Sequence, residues 1–107
     1  MSSISHLGSR SYAVLLALSG EKRHGYDLMR QIAHDSNGQL TLGPATLYTT
    51  LKRLLDLGFI TEQEETGGEG REARRRYYQL SANGNKALAE ELERTERFLK
   101  IAKQRMA

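Results

Sequence analysis

The stretch from Ser81 to Met106 limits what this chain can become. Ser81 is placed to cap a helix, no proline interrupts the run, and ~26 residues rising 1.5 Å each reach ~39 Å, more than the diameter of a small domain. With 107 residues in all, the chain has the length of one domain, which buries about 65% of its unfolded surface. Part of such a rod must therefore project from the body. Leu88, Leu92, Thr95, Leu99, Ala102 and Met106 are spaced by alternating steps of four and three, the seam of a coiled coil. Phe98 and Ile101 widen that apolar stripe, and Leu15 of the first helix is expected beside it. On the opposite face Glu90–Arg94, Glu93–Arg97 and Glu96–Lys100 are i,i+4 pairs worth about 0.2–0.5 kcal/mol each. The polar face supports itself, so the apolar face needs a partner, and a second copy of the chain is the expected one.

Upstream, the pattern predicts three shorter helices. From Ser9 to Ser19, Tyr12, Val14, Leu15, Leu16 and Leu18 cover most of a helix, with Ser9 as N-cap and Gly20 as stop. After a charged turn (Glu21, Lys22, Arg23), Gly25 to Asp35 sets Leu28, Met29, Ile32 and Ala33 on one stripe, ended by Asn37-Gly38. Leu40-Thr41-Leu42 alternates like a short strand. The single proline, Pro44, then stands at the first position of a third helix, where its missing N–H costs nothing. That helix gathers Leu47, Tyr48, Leu51, Leu54, Leu55 and Gly58 on one side. Phe59 to Thr66 and Ala73 to Leu80 flank Gly67-Gly68-Glu69-Gly70, which reads as a β-hairpin with a flexible tip. A turn centred between Gly68 and Glu69 would pair Phe59 with Tyr78, Ile60 with Tyr77 and Glu62 with Arg75.

This order is that of a winged helix-turn-helix: a mainly α fold with a small β-hairpin, followed by a long C-terminal helix. Residues 1–80 are expected to form a DNA-binding unit and residues 81–107 a dimerisation helix, in a homodimer. The outer side of the third helix carries Thr46, Thr49, Thr50, Lys52 and Arg53. A helix ~10–12 Å across enters the ~12 Å major groove only if the side chains facing the bases are short or slender, as threonines are. Threonines are also poor helix formers, an odd choice for a merely solvated face. Arg71, Arg74, Arg75 and Arg76 on the wing can neutralise backbone phosphate or enter the minor groove. Their competing role is cross-strand pairing with Glu62, Glu64 and Glu65, since residues 43–80 hold six cations and six anions. Tyr48 suits either a core tyrosine with its hydroxyl at the rim or a phosphate donor.

Other functions are disfavoured. The chain has no cysteine, which excludes disulfides, thiol nucleophiles and thiolate metal sites. His24 and His34 lie ten apart with no third ligand in pattern, so no metal site is expected and His24 reads as a structural hydrogen-bonding group. No nucleophile–base set, paired carboxylates or phosphate cradle is present, so neither an enzyme nor a cofactor is expected. Sixteen Lys and Arg against 13 Asp and Glu give a net charge of +3. The longest apolar stretch, Tyr12 to Leu18, falls far short of the ~20 residues that cross a bilayer, and Met1 to Ser11 lacks a signal-peptide pattern. A cytoplasmic protein with no membrane partner is expected. The alternative from another class is a winged-helix module that binds protein, favoured by the balanced charge of residues 43–80.

The stretches His24-Gly25-Tyr26-Asp27-Leu28, Gly43-Pro44-Ala45-Thr46-Leu47-Tyr48, Leu51-Lys52-Arg53-Leu54, Leu57-Gly58-Phe59-Ile60 and Arg75-Arg76-Tyr77-Tyr78-Gln79-Leu80-Ser81 with Gly84, in this order, resemble those of PadR-family transcriptional regulators of the small type. The resemblance covers nearly the whole chain. It implies a homodimer that binds a roughly palindromic operator on double-stranded DNA, represses transcription and lets go when a small molecule or other signal changes the dimer. Position by position, it puts Thr46, Tyr48, Thr49 and Lys52 in the recognition-helix region, Tyr26 and Tyr48 near the DNA backbone, and Arg74 to Arg76 on the wing. Ser81-Ala82-Asn83-Gly84 replaces the Thr-Pro-Glu-Gly of many relatives, keeping the cap without the proline. No tryptophan stands on the last helix to stack flat ligands. An effector site, if one exists, is expected between the paired last helices, lined by Phe98, Ile101, Ala102 and Leu15.

Overall fold

The computed structural model describes residues 7–66 and 74–107, with the side chains of Thr66 and Arg74 left aside. Four helices run Ser9–Ala17 (α1), Gly25–Asp35 (α2), Pro44–Asp56 (α3) and Ala82–Met106 (α4). Three strands, Arg23–His24 (β1), Ile60–Thr66 (β2) and Arg74–Leu80 (β3), form one antiparallel sheet in the order β1-β3-β2. The core is the meeting of three apolar faces: Val14, Leu15 and Leu18 from the α1 segment, Leu28 and Ile32 from α2, and Leu47, Leu51 and Leu54 from α3. Phe59, Ile60 and Tyr78 close it from the wing, and Ala87 and Leu88 from α4. A fully buried side chain of this kind contributes about 1.5–3 kcal/mol, so the three-helix contact is a large part of what holds the fold together.

Helix ends follow their local chemistry. Pro44 begins α3 as expected. The His24 ring caps α2, its Nδ1 accepting from the Asp27 N–H at 3.3 Å. Ser81 caps α4 by accepting from Gly84 N–H at 3.0 Å, and its hydroxyl donates to Gly58 O. Asn37 and Gly38 leave α2 at positive φ, and Gly20 and Gly58 do the same after α1 and α3. At α1 the cap residue is Gly8, and Ser9 is the first helical residue, contributing no cap bond.

Other expectations are corrected. Leu40-Thr41-Leu42 pairs with no strand; Leu42 is simply buried in the core. The strand lies instead at Arg23–His24, read as a turn from its charge, which pairs Arg23 with Tyr78 and His24 with Tyr77. The hairpin pairs Ile60 with Leu80, Glu62 with Tyr78, Gln63 with Tyr77 and Glu65 with Arg75. This is three residues away from the register expected from a Gly68/Glu69 turn, so each side chain meets a different partner and the faces invert. The base of the hairpin decides it, where Ser81 N–H donates to Phe59 O and Ile60 and Tyr78 enter the core together. On α4, Arg94 bonds Glu91 at 2.9 Å instead of Glu90, while Lys100–Glu96 forms at 3.6 Å. Glu91 faces α1, where Tyr12 approaches it; burial first, then the Glu91 charge, pushes the Tyr12 phenol above its ordinary value.

Helix α4 belongs to the body only at its start. Gly84, Ala87 and Leu88 are buried, whereas Leu92, Thr95, Phe98, Leu99, Ile101 and Met106 are exposed and Ala102 partly so. Leu15 and Leu88, expected on a dimer surface, lie inside the protomer's own core. Periodicity identifies an apolar face but not the neighbour that covers it, and on α1 the exposed apolar residue is Leu16. The start of α4 docks through Gly84, where an added Cβ would stand 1.9 Å from Phe59 O. Gly84→Ala is expected to destabilise the fold by at least about 1–3 kcal/mol, since the obstructing atom is backbone. An unchanged midpoint in urea denaturation would contradict this packing.

Candidate nucleic-acid interface

Because Leu47, Leu51 and Leu54 turn α3 inward, the opposite side of that helix is determined by its ~100° step per residue. The outward crest is Ala45, Thr49, Lys52 and Asp56, all exposed. Tyr48 projects from one flank, and Thr46, Thr50 and Arg53 from the other. The Thr49 hydroxyl donates to Ala45 O and that of Thr50 to Thr46 O, each at 2.9 Å. These i−4 bonds turn the hydroxyl protons toward the helix, leaving methyl groups and oxygen lone pairs available outside. Such a surface is shallow and suits thymine methyls and exocyclic amines, the groups that major-groove edges present. Lys52 sits 3.9 Å from Asp56, with both side chains well exposed, so the pair contributes little and Lys52 can be recruited. Pro44 is exposed at the start of the helix.

The Tyr48 flank opens into a concavity of about 500 Å³ lined by His24, Gly25, Tyr26, Tyr48, Arg75, Arg76 and Tyr78. Residues far apart in sequence converge here from the start of α2, from α3 and from β3. Tyr26 is 64% exposed and Tyr48 51%. The Tyr48 ring lies against Gly25, whose missing Cβ would fall 2.5 Å from the phenol oxygen. The phenol end of Tyr48 therefore lies against the start of α2, while about half of the residue stays open to solvent. Tyr78 is buried beneath; that burial, with Glu62 next in effect, pushes its phenol above the ordinary value.

The charges of this flank are partly committed. Arg76 lies 3.8 Å from Glu62, and Lys22 pairs with Glu65. Arg75 approaches His24 Nε2 at 3.3 Å. Since His24 Nδ1 accepts from Asp27, a neutral ring carries its proton on Nε2 and offers Arg75 no acceptor. The Arg75 guanidinium is therefore left with donors for an anion. Arg30, absent from the sequence expectations, stacks its guanidinium 5.8 Å from the Tyr26 ring; its i,i+4 spacing from Tyr26 was the signal. Arg71 lies outside the described residues, as does the Arg74 side chain.

The other flank faces a second groove of about 730 Å³, between α3 and the start of α1. Ala45, Thr46, Thr49, Thr50 and Arg53 form one wall and Gly8 to Ser11 the other, with Leu40 between. Among the described residues no group of His, Asp or Glu side chains could hold a metal ion, and no helix is long and apolar enough to cross a membrane.

The described geometry is a slender helix crest between two concave flanks. Residues 14–90 match the model of the transcriptional regulator PadR-like family. The chain belongs to that family. Transcriptional regulator YqjI of Escherichia coli is 36% identical over 62 residues, 58% of this chain and 30% of that protein, so the chain spans under a third of that relative. A PadR-family regulator from Clostridium difficile superposes with a TM-score of 0.79 at 21% identity, over 94% of this chain and all of that one, which shows the fold. Bacillus subtilis PadR, solved in complex with operator DNA, aligns with a TM-score of 0.68 at 26% identity over 78% of this chain and 46% of that one. PadR-like proteins are transcription regulators and not enzymes.

In this member, the close contact between Tyr48 and Gly25 is the most sensitive joint of the tyrosine flank. Gly25→Ala is expected to push the Tyr48 ring outward while changing stability by less than about 1 kcal/mol, because the atoms displaced are the free end of one side chain. Unshifted Tyr48 ring resonances in the NMR spectrum of the variant would contradict this.

Proposed function

We propose that this PadR-family chain is a cytoplasmic, homodimeric repressor that binds a roughly palindromic operator, with each α3 in a major groove. The observation that carries the reading is the crest of α3: exposed Thr49 and Lys52 between two flanks that bring Tyr26, Tyr48, Arg75 and Arg76 to one side and Arg53 to the other. Thr49, with Thr46 and Thr50 beside it, reads base edges. Lys52 and Arg53 reach phosphate or a guanine edge, and the tyrosines and wing arginines position the backbone. Arg71 and Arg74 add wing charge. That a relative was solved on operator DNA supports the same assignment.

Residues 1–80 are the DNA-binding unit and residues 81–107 pair two protomers. Support comes from the projecting part of α4, where Leu92 is 50% and Phe98 61% exposed beside exposed Thr95, Leu99, Ile101 and Met106. A coiled-coil seam of that kind buries itself against a second copy and sets the two α3 helices about 34 Å apart, one helical turn of DNA. A small molecule seated against Phe98, Ile101 and Ala102 between the paired helices would alter that spacing and release the operator.

Titration of the duplex upstream of the chain's own coding sequence should give log K falling with log salt by about 0.9 per phosphate neutralised. Thr49→Ala and Lys52→Ala should weaken binding more than Lys103→Ala; equal losses would move the reading face elsewhere. Leu99→Glu should convert the dimer to a monomer in analytical ultracentrifugation and weaken operator binding with it. A wild-type chain that sediments as a monomer at micromolar concentration would remove the paired-helix reading.

A further inference from the structure

The groove between α1 and α3 lies on the side of the recognition helix opposite the tyrosines, and no sequence motif marked it. Its α1 wall is built for an anion. Helix α1 begins without a side-chain cap and without an acidic residue in its first turn. Tyr12 N–H is the first to bond within the helix, to Gly8 O at 3.2 Å, so the preceding N–H groups have no helical acceptor. Ser11 is only 5% exposed yet lines the groove, and its hydroxyl has no partner among the described residues. Two cations, Arg10 and Arg53, face the same space from opposite walls, and neither is in an ion pair with a described residue. Among the described residues no carboxylate lines the groove.

Backbone donors with no helical acceptor, a hydroxyl on a largely buried residue and two guanidiniums outside any ion pair with a described residue, with no described carboxylate in the lining, are the chemistry of a phosphate site. We infer that Ser9, Arg10, Ser11 and Arg53 bind a backbone phosphodiester of the DNA strand bordering the groove that α3 occupies. This inference rests on the DNA-binding reading and adds to it a second anchor. The major groove is bounded by two strands; the tyrosine and wing flank holds one, and the start of α1 holds the other. Helix α3 is then fixed in depth from both sides. The contact is to phosphate alone, so it contributes affinity and register without choosing sequence.

The test is a double-mutant cycle on the full chain. Arg10→Ala, an exposed substitution that leaves the core intact, should weaken binding to specific and non-specific duplexes by the same factor and lower the salt slope by about 0.9. Duplexes carrying a neutral methylphosphonate at each backbone position in turn should include one that weakens the wild type but not Arg10→Ala. Ser11→Ala should lose its dependence on that same phosphate. Unchanged affinity and slope for Arg10→Ala, or no phosphate coupled to it, would overturn the inference while leaving the α3 reading intact. Should the wild type bind no duplex, the DNA reading fails, and inorganic phosphate decides the anion site separately. Thermal stabilisation by phosphate that Arg10→Ala abolishes would then uphold the site for a free anion, and its absence would overturn it.

Discussion

The burial of Leu47, Leu51 and Leu54 against α1 and α2 is the constraint on which the rest depends. A helix has one orientation about its axis once one face is committed, and these leucines commit it. Thr49 and Lys52 are outward for that reason alone. The same packing sends Tyr48 to the seam with α2, where it survives half-exposed because Gly25 has no Cβ to obstruct it. An exposed crest of this sort needs no strain and no special backbone. It is the complement of a well-filled core, and its shallowness follows from threonines whose hydroxyls are already bonded to their own helix.

The long terminal helix uses its length in two ways. Its first turns are core: Gly84 meets the Phe59 carbonyl, Leu88 joins the leucine cluster, and Glu91 takes Tyr12 and Arg94. Beyond Leu92 the same apolar stripe continues with none of the described residues of its own chain packed over it. The start of α4 packs on α1, and α1 packs on α3. That contiguous packing is the connection through which the proposed effector site would act on the proposed DNA-binding face.

Helix identities were legible in local chemistry. Pro44 at a helix start, Ser81 as a cap, Gly20 and Asn37-Gly38 as stops, and the leucine stripe of α3 each specify structure within a few residues of themselves. The hairpin register was not legible, because the glycine-rich tip admits several turn centres and the choice is made at the far end, by Ile60, Tyr78 and the Ser81–Phe59 bond. Strand β1 was hidden because Glu21, Lys22 and Arg23 carry charge, while its pairing comes from the free edge of β3, fifty residues away. Leu15 and Leu16 are adjacent and chemically identical, so which of them is buried depends on the angle at which α1 lies.

By itself, the sequence determined the four helices, the polar crest of α3 and a tail too long to be enclosed, because helix periodicity, caps and chain reach are local properties. Only the tertiary structure decided the sheet register, the core position of Leu15, and the convergence of Tyr26, Tyr48 and Arg75 on one flank and of Arg10, Ser11 and Arg53 on the other. Those are distances between residues tens of positions apart, set by how whole apolar faces pack together, and no short window of sequence contains them.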